Sequence, residues 1–199
     1  MGAYLSVDLD FWSKHQDTKS ATRFFRRVLG LNAPVTFVIE HEELIDDINK
    51  MKNMHTLYNV DYHSDIIAEI DCIDEIPEDY NWANYVNNRE NADYFWIMPN
   101  KKCNDTWEGL CHSDGINPFD EPGMSGWKDC QFKTMSFINW KEITRVGVCL
   151  SPIFVEISTV YPIIKKLGVD RKKIDDLIER QPQMHKSRRR GVLKRIKAA

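Results

Sequence analysis

Short apolar runs alternate along this chain with stretches of helical periodicity. Residues 4–9 (Tyr-Leu-Ser-Val-Asp-Leu) predict a buried first strand that ends in Asp8-Leu9-Asp10-Phe11-Trp12. Over residues 20–29, Ala21, Phe24, Phe25 and Val28 recur at the spacing of one helix face, and Gly30 supplies a stop. Pro34 opens a β-branched second strand over 35–39, which delivers Glu40 and His41. Residues 42–51 predict a helix with Leu44, Ile45 and Ile48 on one side, and 57–60 predict a third strand. Further strands are expected at 92–98, 131–138 and 145–150, with helices at 81–88, at 155–167 despite Pro162, and at 170–180. Strands alternating with helices predict an α/β fold, a three-layer αβα sandwich with a mostly parallel sheet. Sheets of that kind bind ligands beyond the carboxyl ends of their strands.

The polar residues that stand out lie at those ends. After the third predicted strand come Asp61, His63 and Asp65, spaced by two. On extended backbone they share a face, and two carboxylates crowded with an imidazole need a cation between them. Asp8 and Asp10 repeat the spacing after the first strand, and His41 follows the second. Four carboxylates and two imidazoles with no thiolate suit two divalent ions, Mn²⁺ rather than Zn²⁺. Two such ions hold a water between them and lower its pKa, supplying hydroxide to attack carbon or phosphorus. Taken alone, Asp8-x-Asp10 also fits a metal-dependent phosphatase of haloacid-dehalogenase type, but Trp12 stands where that group has Thr or Val. A metal-binding interaction protein without catalysis is the third reading.

Composition narrows the setting. The 199 residues are 42% hydrophobic and 29% charged, as expected for one globular domain, taken as 1–180 with a basic tail over 181–199. That tail carries Lys186, Arg188, Arg189, Arg190, Lys194, Arg195 and Lys197 and no acid, so the rest of a chain of net charge −3 sits near −10. An acidic body excludes nucleic acid as a partner except through the tail. Five cysteines, no leader-like pattern before Asp8 and no membrane-length apolar run predict a cytoplasmic protein with free thiols and no membrane partner. Residues 100–129, rich in Gly, Asn, Asp and Pro, predict a long functional excursion.

The segments Val7-Asp8-Leu9-Asp10-Phe11-Trp12, Glu40-His41-Glu42-Glu43-Leu44 and Val60-Asp61-Tyr62-His63-Ser64-Asp65-Ile66, together with Asn81-Trp82 and Ser151-Pro152, carry a resemblance. In them the chain resembles the arginase and agmatinase (ureohydrolase) superfamily, in particular an arginase-like group that includes the peptide arginases. The resemblance implies two Mn²⁺ ions and hydrolysis of a guanidinium to urea and an amine. It places His41 and Asp65 on one metal and His63 and Asp10 on the other, with Asp61 and Asp8 bridging, and gives Asp65 a catalytic contact to the bridging hydroxide. The strand bearing Asp8 and Asp10 comes late in arginases and first here, which implies a permuted order. After Asp65 come Ile66, Ile67 and Ala68, not the Asn that helps arginases hold a free amino acid. The expected substrate is therefore an arginine within a peptide, or another guanidino compound, cleaved to ornithine and urea. The leaving amine needs a proton, for which His112 is the candidate. The guanidinium needs a carboxylate, for which Asp114, Glu108 and Glu156 are candidates. Asn81 and Trp82 are expected near the substrate, and Trp82, Trp96, Trp107 and Trp127 as aromatic walls. Cys103, Cys111, Cys130 and His112 match no usual zinc spacing.

Overall fold

The structure is a computed structural model that describes residues 2–13, 18–61, 63, 65–66, 82–98, 126–152 and 155–198. Its centre is β1 (Gly2–Asp8), buried along its whole length. Alternate residues of β1 go opposite ways, as the pleat requires. Ala3, Leu5 and Val7 enter one apolar cluster and Tyr4 the other. Ser6 and Asp8 follow Tyr4 toward the second face, where both meet His41.

Around β1 lie β2 (Val35–Val38), β3 (Met54–Val60), β4 (Asp93–Met98), β5 (Asp129–Thr134) and β6 (Ile143–Cys149). The sheet order is β2-β6-β1-β3-β4-β5, and every pairing is parallel. One face is covered by α2 (Thr18–Leu29), α4 (Ile157–Ile164) and α5 (Arg171–Ala198), whose apolar residues join Leu5 and Val7 in the first cluster. The other face carries a 3-10 turn (His41–Leu44), α3 (Ile45–Ile48) and a second 3-10 turn (Trp82–Tyr85), packed with Tyr4 and Leu57. This is the αβα sandwich with a parallel sheet that the alternation predicts. Among the described residues no helix is long and apolar enough to cross a membrane. Cys130 and Cys149 are free thiols.

A buried charge network fixes the second face. Asp47 on α3 accepts hydrogen bonds from Tyr4 on β1 and Thr36 on β2, each at 3.0 Å, and pairs with Arg145 on β6 at 2.8 Å. One helical carboxylate thereby ties α3, and the turn carrying His41, to three strands.

Several expected bounds shift. The helix expected at 42–51 splits into the 3-10 turn and α3, so His41 opens a helical turn instead of closing a strand. Glu43 sets that turn by accepting from the amides of Ile39 (2.8 Å) and Glu40 (3.3 Å), a capping box. β5 stops at Thr134, where the Thr134 and Ser136 hydroxyls bond each other at 2.9 Å and a short turn (Met135–Phe137) follows. The largest difference is at the carboxyl end. Residues 181–198 continue α5 through Pro182 and do not leave it as a separate tail. The reason is Gln181, buried to 2% exposure, whose amide donates to the carbonyls of Pro152 (2.8 Å) and Val155 and accepts from Ile157 N at 3.3 Å. His185, one turn on, contacts the Pro152 carbonyl at 2.8 Å.

Candidate metal centre

Parallel strands put their carboxyl ends on one rim, and register aligns them there. Asp8 pairs in register with Cys149 of β6, Val38 of β2 pairs with the same Cys149, and Val7 pairs with Val60 of β3. Residues scattered from Asp8 to Ser151 in sequence therefore meet at one level of the sheet.

Two aspartates are built alike. Asp8 Oδ1 accepts from the amide of Asp10, and Asp61 Oδ1 from the amide of His63, each at 2.8 Å. The spacing of two is thus set by an aspartate turn that holds the next ligand's backbone, not by continuing pleat. This corrects the expectation that Asp61, His63 and Asp65 share the face of an extended strand. β3 ends at Val60, and Asp65 has φ 54°, in the left-handed region. The other oxygen of each aspartate turns to His41: Nδ1 lies 3.0 Å from Asp61 Oδ2, 3.5 Å from Asp8 Oδ2 and 3.2 Å from Asp65 Oδ2. His63 Nδ1 lies 3.4 Å from Asp10 Oδ2 and 3.7 Å from Asp61 Oδ1.

Supporting contacts come from the same strands. Ser6, two residues before Asp8, places its Oγ 2.6 Å from His41 Nε2. Asn59, two before Asp61, donates to Asp65 Oδ2 at 3.1 Å. Trp82 Nε1 donates to the same oxygen at 2.7 Å, and its ring packs 4.5 Å from the His41 ring. Ser151, at φ 42°, donates from Oγ to Asp8 Oδ2 at 2.5 Å. Trp96 Nε1 donates to the Asp61 carbonyl at 3.0 Å. Asp65 and Ser151 thus hold two of the four positive-φ backbones found outside glycine among the described residues, and both serve this rim.

The electrostatics are severe for a dry site. Asp8, Asp10, Asp61 and Asp65 are all buried, and among the described residues the only ion pairs of Asp8, Asp61 and Asp65 are with His41 and His63. Burial, with the charges of Asp10 and Asp61, pushes the Asp8 carboxyl well above its usual range. Burial and the Asp61 charge raise Asp65 to about 8. Asp61 goes the other way: burial opposes its charge, but His41 and His63 outweigh it and hold it ionised. Burial likewise disfavours charge on His41, but Asp61 and Asp65 overcome it and raise its pKa well above normal. His63, against the same burial effect, is raised to about 10 by Asp10 and Asp61. Without a cation, protons have to hold these groups together.

The donor set fits divalent cations. Two groups have all their ligand atoms within 4.8 Å of one another, Asp8/His41/Asp61 and Asp10/Asp61/His63, and Asp61 is common to both. His41 Nδ1 is buried among carboxylate oxygens yet makes no hydrogen bond among the described residues, the arrangement of a ligand nitrogen aimed at an ion. Four carboxylates with two neutral imidazoles balance the charge of two divalent ions.

All six expected ligands therefore come together, with Asp65 beside His41. Trp82, Trp96 and Trp127 are buried in the core, and Trp82 and Trp96 serve the site through their indole N–H groups and not as open walls. Glu156 is exposed just before α4, where it accepts from Ser158 at 3.2 Å; among the described residues it makes no hydrogen bond or ion pair with the six. Asn81, Trp107, Glu108, His112 and Asp114 lie outside the described residues, as does 99–125 of the expected excursion. Ser6, Asn59 and Ser151 are the functional residues that sequence reasoning missed as individuals. A signal for two of them was present: Ser6 and Asn59 are each a polar residue two positions before an aspartate.

Comparison with known proteins adds nothing to this geometry: no protein-family model, no curated protein and no solved structure matches the chain.

Proposed function

We propose that the chain is a dinuclear metal-dependent hydrolase of arginase type, acting on the guanidinium of an arginyl group within a peptide. The observation that carries this reading is the meeting of Asp8, Asp10, His41, Asp61 and His63 in two groups that share Asp61, with Asp65 Oδ2 3.2 Å from His41 Nδ1. The donors are oxygen-rich with two imidazoles, which favours Mn²⁺. Bound there, a metal pair would supply hydroxide at neutral pH.

The chain's own residues do the remainder. Asp61 offers one oxygen to each imidazole's group, the arrangement of a bridging ligand. Ser6 fixes the His41 ring and so aims Nδ1 inward. Trp82 and Asn59 fix Asp65, whose carboxylate would accept the proton-bearing side of the attacking water. The His63 side chain is 42% exposed while those of His41, Asp61 and Asp65 are 2% exposed, so substrate would reach the centre past His63. In the reaction, water oxygen bonds to the guanidinium carbon, the bond from that carbon to the side-chain nitrogen breaks, and that nitrogen takes a proton. The products are urea and an ornithyl residue.

A phosphatase using Asp8 as nucleophile is less well supported. Asp8 is held by Ser151 and the Asp10 amide, and that chemistry has no use for two imidazoles facing the same acids. The test is turnover by the Mn²⁺-loaded full chain on arginyl peptides, free arginine and a phosphate monoester. Urea with conversion of arginyl to ornithyl by mass spectrometry is expected. Phosphate release without urea would establish the phosphatase instead, and bound metal with no turnover on any of them would leave a binding protein.

A further inference from the structure

The apolar stripe that docks α5 on the sheet breaks at one position. Ile174 and Leu177 are buried in the first cluster, and Ile178 packs against it. Residue 181 comes next on that face, at the i, i+3, i+4, i+7 spacing that calls for an apolar side chain. Gln181 stands there instead, buried to 2% exposure. A buried amide costs free energy unless it is bonded, and this one is bonded to a single segment. Its Nε2 donates to the carbonyls of Pro152 (2.8 Å) and Val155, and its Oε1 accepts from the Ile157 amide at 3.3 Å. The last of these takes a first-turn N–H of α4, whose N-cap residue Glu156 makes no side-chain cap. His185, one turn on, meets the same Pro152 carbonyl at 2.8 Å.

That segment starts at Ser151. Its backbone is left-handed, at φ 42°, and it precedes a proline, where the chain ordinarily takes extended backbone. Such a posture persists only where neighbours over-determine it. Here the Ser151 amide donates to the Ile39 carbonyl at 3.2 Å, and the Ser151 carbonyl accepts from the Val155 amide at 2.9 Å. Pro152 and Val155 are the two residues whose carbonyls Gln181 holds. So held, Ser151 joins two ligand-bearing segments. Its Oγ donates to Asp8 Oδ2 at 2.5 Å, the oxygen that faces His41 Nδ1 at 3.5 Å. Its amide holds the chain at Ile39, two residues before His41.

We infer that Gln181 is a positioning residue of the metal centre, acting through Ser151 on Asp8. Gln181 fixes the peptide that follows Ser151, and the left-handed backbone aims the Ser151 hydroxyl. The hydroxyl in turn fixes which lone pair of Asp8 Oδ2 is left for an ion in the Asp8/His41/Asp61 group. Among the described residues Gln181 makes no hydrogen bond to any of the six ligands, so its effect on an ion is transmitted through the Ser151 segment. An apolar side chain at 181 would dock the helix as Ile174 and Leu177 do, but would leave that segment without these bonds. This rests on the metal pair of the proposed reading, and not on its substrate or its reaction.

The test is a double-mutant cycle on Mn²⁺ affinity, which needs no turnover. Competition with a fluorescent chelator would give the affinity of the more tightly held ion in the full chain, in Gln181→Met, in Ser151→Gly and in the two combined. Glycine takes φ 42° without strain, so Ser151→Gly removes the hydroxyl and adds no backbone cost to the folded chain. Gln181→Met keeps the length of the side chain and removes its bonds. Each single change is expected to weaken Mn²⁺ binding about tenfold or more. Combined, they should bind no more weakly than Ser151→Gly alone, because the hydroxyl through which Gln181 acts is already gone. In chelator, Gln181→Met should still lower the melting temperature beside Ser151→Gly, which separates its part in the fold from its effect on the ion. Should Gln181→Met not fold, His185→Ala takes its place in the cycle. It removes one of the two bonds at the Pro152 carbonyl, and its smaller loss of affinity should vanish beside Ser151→Gly. Wild-type affinity in the folded variant used, or losses that multiply when the changes are combined, would overturn the inference. A wild type that holds no Mn²⁺ would remove the metal centre and the inference together. Affinities that follow the cycle without urea release would support the inference and remove the hydrolase reading.

Discussion

Ser6 Oγ lies 2.6 Å from His41 Nε2, and both residues are buried. For Nδ1 to bind a metal, Nε2 must keep its proton and donate it to the serine oxygen. Ser6 therefore accepts from Nε2–H in the tautomer that frees Nδ1, and holds the ring in place. Ser6→Ala is expected to lower metal affinity about tenfold to a hundredfold. Loss of the partner should also lower stability by about 1–2 kcal/mol. Competition with a fluorescent chelator and thermal melting would measure the two effects, and unchanged affinity would show that Ser6 does not orient the ring.

The two groups are unequally exposed. His41 is sealed, whereas the His63 side chain is 42% exposed. Asp10→Asn or His63→Ala is expected to remove one metal ion per chain and leave the other, held by Asp8, His41 and Asp61. In the wild type a mild chelator should strip one ion well before the second. Metal content by mass spectrometry after timed dialysis checks this, and simultaneous loss of both would contradict it.

Proton linkage gives a signed prediction for the metal-free chain. Asp65 is raised to about 8 and His63 to about 10. In both cases the folded chain binds more protons than the unfolded chain, so these two groups lower stability as pH rises. For Asp65 the loss runs from the ordinary carboxylate range up to about 8. For His63, the stabilisation present below the ordinary histidine range is lost as pH rises through about 10. Asp61, held low by the imidazoles, acts only at the acid end, where its protonation destabilises. Metal replaces the protons, so the rise in melting temperature caused by Mn²⁺ should widen from pH 6 to pH 9, and binding should release protons. Melting in chelator and in Mn²⁺ at several pH values tests this; a gap that narrows with pH would refute it.

Trp82 separates packing from hydrogen bonding. Its ring lies against His41 and its N–H holds Asp65. Trp82→Phe keeps an aromatic ring and removes the donor, so it should weaken metal binding with a modest loss of stability. Trp82→Ala also empties a fully buried site and should destabilise by about 3–5 kcal/mol. Denaturant unfolding in chelator reads the stability; equal effects of the two changes would mean that the ring packing contributes nothing, and unchanged metal binding in Trp82→Phe would mean that the N–H contributes nothing.

The strands, and the acids and histidines that gather at the sheet rim, were legible in the sequence, and the reasons are physical. Buried parallel strands must be apolar on both faces, so 4–9 and 145–150 announce themselves, and a polar residue inside them is conspicuous. Sheet order was not legible. Alternation along β1 assigns residues to faces, but nothing in it says that β6, the last strand, sits between β1 and β2. The shape of the ligand segment was not legible either, because Asp61, His63 and Asp65 look the same as pleated strand or as an aspartate turn. The end of the last helix was not legible: it was expected at 180, yet the helix runs to Ala198 with Pro182 inside it, and the buried Gln181 amide anchors it at that point.

The central claim, that Asp8, Asp10, His41, Asp61, His63 and Asp65 hold a metal pair through a shared Asp61, is tested most directly by electron paramagnetic resonance. The sample is the Mn²⁺-loaded full chain, with metal content measured on the same material. Two Mn²⁺ per chain with the spectrum of an exchange-coupled pair, lost in Asp61→Ala, is the expected result. One Mn²⁺ per chain, none, or two that give only uncoupled signals would contradict it.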